Sequence, residues 1–142
     1  MVADELSIIS VYHKNYLYSQ IEKGYNLSMK TINKKITTPD GFILDVIVFE
    51  PETPAKTEVF MCHGLTGSKD TKRNTLLNLA EKLCENGMRV IRFDFRGHGE
   101  SSGIDLDVNL DSFIIDLDTV MRSERSDLQF MMFGFSFGGF TV

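Results

Sequence analysis

The sequence predicts an α/β protein with a mostly parallel sheet that is covered by helices on both faces. Short apolar segments alternate with amphipathic helical segments from residue 58 onward. The strand segments are apolar almost throughout, which is typical of strands buried on both faces. Three glycine-bearing loops each follow directly on a predicted strand. Because ligands bind at the carboxyl ends of parallel strands, we expect the functional site where these three loops meet.

The first elements along the chain are an N-terminal extension and a hairpin. Residues 1–28 carry apolar positions at loosely helical spacing and predict a helical extension. Residues 31–38 and 42–49 have strand character and flank the turn formed by Pro39, Asp40 and Gly41, so we expect a β-hairpin. The domain proper is predicted to cover residues 29–142.

Alternating strands and helices follow the hairpin. We predict strands over residues 58–62, 89–95 and 128–133, and a helix from Gly138 onward. Gly87 is expected to end the first of the two amphipathic helices as a left-handed cap. The apolar positions that define these helices are Leu76, Leu79, Ala80, Leu83 and Cys84 in the first, and Phe113, Leu117, Val120 and Met121 in the second.

Composition excludes several classes of function. The chain has 142 residues, a net charge of −5 and no run of basic residues, which argues against nucleic acid as a partner. No apolar run approaches the roughly 18 residues of a membrane span, and no secretory signal is recognisable. Neither metal-ligand spacing nor a phosphate-loop or dinucleotide-binding motif is present. We therefore expect a cytoplasmic protein without metal or cofactor.

The most specific motif is G-x-S-x-G, formed by Gly134, Ser136 and Gly138 after the last predicted strand. In this motif the serine lies on a sharp turn that exposes its hydroxyl, and the flanking glycines leave room for the turn. A serine hydroxyl in that position is a candidate nucleophile.

Three motifs in this order resemble the α/β-hydrolase fold, in its esterase, monoacylglycerol-lipase-like and serine-aminopeptidase-like branch. They are His-Gly-Leu-Thr-Gly-Ser at 63–68, Asp-Phe-Arg-Gly-His-Gly-Glu-Ser at 94–101 and Gly-Phe-Ser-Phe-Gly-Gly at 134–139. The resemblance implies that Ser136 is the catalytic nucleophile. It also implies that the backbone N–H groups of Leu65 and Phe137 form the oxyanion hole. His63, Gly64, Gly134 and Gly138 are then residues of the supporting loops.

The remaining polar residues of these loops have structural interpretations that we prefer. His63 and His98 are expected to organise loops rather than to act as bases, although a base role for either one is an open alternative. Arg96 is expected to secure its loop rather than to bind an acidic substrate. Asp94 is expected to cap or pair locally.

The resemblance implies a triad in the chain order Ser, acid, His, but no acid or histidine follows Ser136 in this sequence. We therefore expect the N-terminal half of a hydrolase domain, truncated after the strand that carries the nucleophile. Its substrate would be a small carboxylic ester, with a thioester or small amide as further options. The open apolar edge left by the last strand would then bind a complementing C-terminal half or mediate self-association. The alternative is an inactive fragment or a partner-binding module.

Overall fold

A computed structural model describes residues 29–70 and 75–142, so the helix predicted within residues 1–28 lies outside the described residues. The elements follow the predicted order of hairpin, strand, helix, strand, helix and strand. They are β1 (Met29–Thr37), β2 (Ile43–Pro51), β3 (Thr57–Cys62), α1 (Thr75–Glu85), β4 (Arg89–Phe93), α2 (Leu110–Glu124) and β5 (Gln129–Gly134), with short 3₁₀ helices at Asp105–Asp107 and Ser136–Phe140.

The five strands form one sheet in the order β1-β2-β4-β3-β5. The hairpin strands pair antiparallel, and β2 also runs antiparallel to β4. In contrast, β3 lies between β4 and β5 and is parallel to both. The three strands that carry the glycine-bearing loops are thus adjacent and point the same way, which confirms the predicted fold class.

The two helices cover opposite faces of the sheet, because neighbouring residues of β3 point into different cores. Phe60 and Cys62 pack in a cluster with Phe113, Leu117 and Val120 of α2. Val59 and Met61 pack in a second cluster, together with the buried face of α1 formed by Leu76, Ala80, Leu83 and Cys84. Strand β3 is therefore buried on both sides, as its continuous apolar sequence predicts.

The end of α1 agrees with the sequence prediction, whereas the segment after β5 differs from it. Gly87 has φ +81° and its N–H donates to Cys84 O at 2.9 Å, so the left-handed cap of α1 is confirmed. The segment after β5 is a 3₁₀ helix that begins at Ser136, rather than a helix from Gly138. Its hydrogen bonds run from Gly138 N to Phe135 O and from Thr141 N to Gly138 O, which is 3₁₀ spacing.

Asp94 joins two of the three loops. Its buried carboxylate accepts hydrogen bonds from the backbone N and the Nζ of Lys69, both at 2.6 Å, and from Glu100 N at 2.9 Å. Lys69 follows β3 and Glu100 follows β4, so one side chain fixes both loops. The expectation that Asp94 caps or pairs locally is confirmed for Glu100, six residues away, whereas its partner Lys69 lies 25 residues away.

The first prediction concerns Gly99, whose φ of +49° and close approach to Asp94 both require glycine. A Cβ there would lie 2.1 Å from Asp94 Oδ2, so Gly99→Ala must displace the carboxylate from its partners. We expect the free energy of unfolding, measured by urea denaturation, to fall by about 3 kcal/mol or more.

Gly41→Ala is the matched control. Gly41 also has a positive φ, +93°, but a Cβ there would meet nothing within 4 Å. In Gly41→Ala only backbone strain remains, and we expect the free energy of unfolding to fall by about 1 to 2 kcal/mol. Equal losses in the two variants would contradict the role given to Asp94.

Candidate functional site

The loops that follow β3, β4 and β5 meet at one edge of the sheet. The parallel register places Cys62 opposite Gly134, so both strands end at the same level. Beyond this point Phe135 N still donates to Cys62 O at 2.9 Å. His98 from the β4 loop contacts the carbonyl oxygen of Leu65 in the β3 loop. The sequence prediction that these three loops come together is therefore correct.

Ser136 has the backbone conformation of a tight, strained turn. Its φ is +53°, and it is the non-glycine residue with positive φ in the described part of the chain. This conformation is rarely adopted by L-residues and is found mostly where the surrounding structure enforces it. The residue is exposed and stands between the end of β5 and the 3₁₀ helix that begins with it. The serine is therefore an exposed residue on a tight turn between a strand and a short helix.

Three glycines allow the backbone to pack closely around Ser136. A Cβ at Gly134 would lie 2.4 Å from Gly138 O, and one at Gly138 would lie 2.5 Å from His63 O. A Cβ at Gly64 would lie 3.1 Å from Ser136 Cβ and 3.6 Å from its Oγ. The first two positions exclude any side chain, and at the third an added side chain would crowd the serine.

His63 is fully buried and uses both ring nitrogens. Its Nε2 accepts a hydrogen bond from Phe95 N at 3.1 Å, so the proton is on Nδ1, which donates to Gly64 O at 2.7 Å. Burial lowers the pKa of this imidazole to about 4, despite the opposing effect of the Gly64 carbonyl. The neutral ring ties the β3 loop to the β4 loop and has no free nitrogen to offer Ser136.

The other polar side chains of the β4 loop also make structural contacts. The Nδ1 of His98 lies 2.9 Å from Arg96 O, and its Nε2 contacts Leu65 O. The Nε and Nη2 of Arg96 donate to the buried Asp116 of α2 at 2.9 and 2.7 Å. Its guanidinium also donates to Asp40 in the hairpin turn and lies over the Phe42 ring. The Arg96 guanidinium, together with a hydrogen bond from Thr38, lowers the pKa of Asp40 to about 2.

Two carboxylates near the loops share one buried lysine. Lys69 Nζ lies 2.6 Å from Asp94 Oδ2 and 2.7 Å from Asp45 Oδ2. Burial alone would lower the pKa of Lys69, but its hydrogen bonds to Asp45 and Asp94 raise it, so the ammonium stays charged. The charge of the buried Asp94 carboxylate is therefore paired.

Two backbone donors lie next to the serine. Within residues 29–70 and 75–142, no backbone acceptor is bound by the N–H of Leu65 or of Phe137. Leu65 follows Gly64, where an added Cβ would lie 3.1 Å from Ser136 Cβ, and Phe137 follows Ser136 itself. Over the same residues there is no group of three or more side chains suited to hold a metal ion. In that described part, too, no helix is long and apolar enough to cross a membrane.

Two structural residues of the site were not recognised from the sequence. Lys69 carries no local sequence signal, because its burial depends on carboxylates from two other segments. Phe113 was predicted as a core position of α2, but its ring also reaches Phe137 and His98 beside the site. An aspartate directly after an apolar strand, such as Asp94, is the one sequence signal that points to this buried network.

Comparison with known proteins places these features in a family. The profile of the Hydrolase_4 family, described as serine aminopeptidase S33, matches residues 53–142. An uncharacterized abhydrolase domain-containing protein of Dictyostelium discoideum is 29% identical over 105 residues, which cover 73% of this chain and 11% of that protein.

Solved structures of esterases share the fold. The Pyrococcus furiosus esterase Pf2001 matches with a TM-score of 0.64 and 26% identity over 78% of this chain and 41% of its own. Est1E from Butyrivibrio proteoclasticus, solved with bound ferulic acid, matches with a TM-score of 0.67 and 26% identity over 76% of this chain and 44% of its own. The chain therefore spans less than half the length of these relatives. It belongs to the serine aminopeptidase S33 family, and its fold is the N-terminal portion of an α/β hydrolase.

Proposed function

We propose that the chain carries the nucleophile of a serine hydrolase acting on small carboxylic esters in the cytoplasm, with thioesters or small amides as further substrates. The observation that supports this most strongly is the conformation of Ser136. A non-glycine residue with φ +53° is strained, and the strain is maintained by glycines at 134 and 138 that admit no side chain. Strain of this kind at an exposed hydroxyl is expected where the hydroxyl attacks a substrate.

The backbone N–H groups of Leu65 and Phe137 are proposed to form the oxyanion hole. Both belong to segments in contact with Ser136, and neither is bound to a backbone acceptor in the described residues. When Ser136 Oγ attacks the ester carbonyl carbon, the carbonyl oxygen becomes negative, and two N–H donors stabilise that charge. Loss of one such donor typically costs about 3 to 4 kcal/mol of transition-state stabilisation.

The acid and the base are proposed to come from residues outside this sequence, because neither histidine near Ser136 has a free nitrogen. His63 is held by Phe95 N and Gly64 O, and the two ring nitrogens of His98 lie against the carbonyl oxygens of Arg96 and Leu65. A general base must have an unpaired nitrogen within hydrogen-bond reach of the hydroxyl. The role of His63, Gly64, Gly134 and Gly138 is therefore to support the loops.

Apolar side chains around Ser136 favour an ester with an apolar acyl or aryl group. Leu65, Phe135 and Phe140 are large, exposed hydrophobic residues close to the serine in the fold. The ferulic acid bound to Est1E is an aromatic acid, which agrees with this substrate class.

The second prediction tests the nucleophile. The protein expressed from its natural reading frame is treated with a fluorophosphonate probe, and the modified residue is located by mass spectrometry. We expect the label on Ser136, its loss in Ser136→Ala, and at least a 10³-fold drop in p-nitrophenyl ester hydrolysis, because the attacking oxygen is gone.

Ser123→Ala is the control, since Ser123 is an exposed serine on α2 away from the loops. Ser123→Ala should be labelled by the probe on Ser136 and should hydrolyse the p-nitrophenyl ester as fast as the unmodified protein does. Retention of ester hydrolysis in Ser136→Ala would overturn the proposal.

The third prediction separates a structural His63 from a catalytic one. The unfolded chain takes up a proton at this residue near pH 6.5, whereas the folded chain does so only at about pH 4. Stability contributed by the neutral ring is therefore full above pH 6.5 and is lost as the pH falls to about 4. At about 1.4 kcal/mol per pKa unit, this loss is on the order of 3 kcal/mol.

The measurement is urea denaturation at several pH values between 7 and 4. His63→Gln removes this titration while other groups still titrate, so its stability should depend less steeply on pH. If the free energy of unfolding depended equally steeply on pH in both proteins, the assignment of His63 as a buried, neutral imidazole would be wrong.

A second candidate function is a binding role for the edge of β5. In the described residues this strand is the last of the sheet, and its apolar residues are half-buried or exposed, whereas those of β3 beside it are buried. We propose that the edge accepts a further strand, from a complementing C-terminal half or from a second copy of the chain.

The fourth prediction addresses this edge in the 142-residue chain. Because Phe135 N points toward β3, the N–H of Met132 points outward. We expect the chain to form oligomers that grow with concentration in gel filtration with light scattering, and Met132→Pro to shift it toward monomer. Met132→Leu is the control and should behave like the unmodified chain. A concentration-independent monomer would rule out this use of the edge.

A further inference from the structure

The proposed oxyanion hole consists of two donors from distant parts of the chain. Leu65 follows β3 and Phe137 follows β5, so no short stretch of backbone fixes one relative to the other. Both N–H groups must lie about 2.7 to 3.1 Å from the same developing oxyanion. Some part of the structure must therefore set their separation.

The Leu65 donor is fixed through the carbonyl groups on either side of it. His63 Nδ1 donates to Gly64 O at 2.7 Å. Because the peptide is trans, the N–H of Leu65 points away from that carbonyl. His98 Nε2 contacts Leu65 O, which fixes the next peptide plane as well. The His98 ring is itself attached to the β4 loop through Arg96 O at 2.9 Å.

Phe113 connects this arrangement to the second donor. Its ring is fully buried on α2 and meets the Phe137 ring edge-to-face at 5.2 Å between centroids. The same ring meets His98 edge-to-face at 5.8 Å and stacks on Phe95 at 4.0 Å. Phe95 in turn contacts His63 at 5.1 Å. The Phe113 ring thus contacts Phe137, whose N–H is one donor. It also contacts His98, which lies against the carbonyl oxygen of Leu65, the residue that carries the other donor.

We propose that Phe113 and His98 are positioning residues that set the two oxyanion donors, Leu65 N–H and Phe137 N–H, relative to each other. Neither side chain contacts substrate. Phe113 acts through the side chain of Phe137 on one side and through His98 on the other, and His98 acts through the carbonyl group of Leu65. The inference rests on the proposed function, since it assigns a task to the residues around that site.

Removal of the Phe113 ring should therefore move both donors, although they belong to different strands. Aromatic rings in edge-to-face contact have a defined geometry that an aliphatic side chain does not reproduce. In Phe113→Leu the core stays apolar, but the contacts to Phe137 and His98 are lost. A purely structural core position would change stability without affecting these two amides together.

The fifth prediction is tested first by backbone amide NMR of the 142-residue chain. We expect Phe113→Leu to shift the amide resonances of both Leu65 and Phe137. His98→Ala should shift that of Leu65, and His98→Gln, which retains a donor, should restore it in part. Val120→Ala is the matched control, because Val120 is a fully buried residue of the same helix and the same core. It should leave both amides in place.

The second measurement is steady-state ester hydrolysis by the protein expressed from its natural reading frame. Misplaced donors stabilise the transition state less but bind ground-state substrate equally well. We expect kcat to fall about 10- to 100-fold in Phe113→Leu with KM unchanged, and Val120→Ala to keep kcat within about twofold.

The outcomes separate the inference from the proposed function. If Ser136→Ala retains hydrolysis, the proposed function fails, whereas the NMR result still decides whether Phe113 sets the two amides. If Ser136→Ala is inactive but Phe113→Leu keeps its kcat, only the inference fails. Amide shifts confined to Phe137, or no larger than those in Val120→Ala, would also overturn it. If Phe113→Leu does not fold, the His98 pair decides: an unmoved Leu65 amide in His98→Ala overturns the inference.

Discussion

The buried ion pair between Asp94 and Lys69 is the interaction on which the arrangement of the loops depends. Both groups leave water on folding, a cost that is offset only when every oxygen and proton finds a partner. Asp94 meets this condition with three N–H donors, and Lys69 with a second carboxylate from Asp45. Because those partners come from three segments, movement of any one segment removes a hydrogen bond or an ion pair from this buried group.

The loop that carries Ser136 is positioned by packing instead of charge. Gly138 lies against the carbonyl oxygens of His63 and Cys62, and Gly134 lies against Gly138. The strained φ of Ser136 is therefore maintained by backbone contacts with the end of β3. Ionic contacts fix the first two loops to each other, and close backbone contact fixes the third to the first.

The sequence was sufficient for the fold class and for the meeting of the three loops, because both follow from local patterns. Apolar strands, helical periodicity and the glycine cap at Gly87 are each visible within a few residues. The partners of Lys69 and Arg96 were not predictable, since a buried ion pair depends on which distant segments become neighbours. The contacts of the Phe113 ring with Phe137 and His98 were not predictable for the same reason. Helical spacing shows that a residue is buried, but it does not show which rings surround it.

The parallel pairing of β3 with β5 has a consequence for how the site forms. These strands are joined by a long crossover that includes α1, β4 and α2, so their contact closes a large loop in the chain. Contacts of this kind form late in folding, because most of the chain entropy must be lost before they contribute. A slip of one residue in this register would move Ser136 by about 3.3 Å along the strand and turn its neighbours to the opposite face. Correct pairing of Cys62 with Gly134 therefore determines both the position of Ser136 and the face on which its neighbours lie.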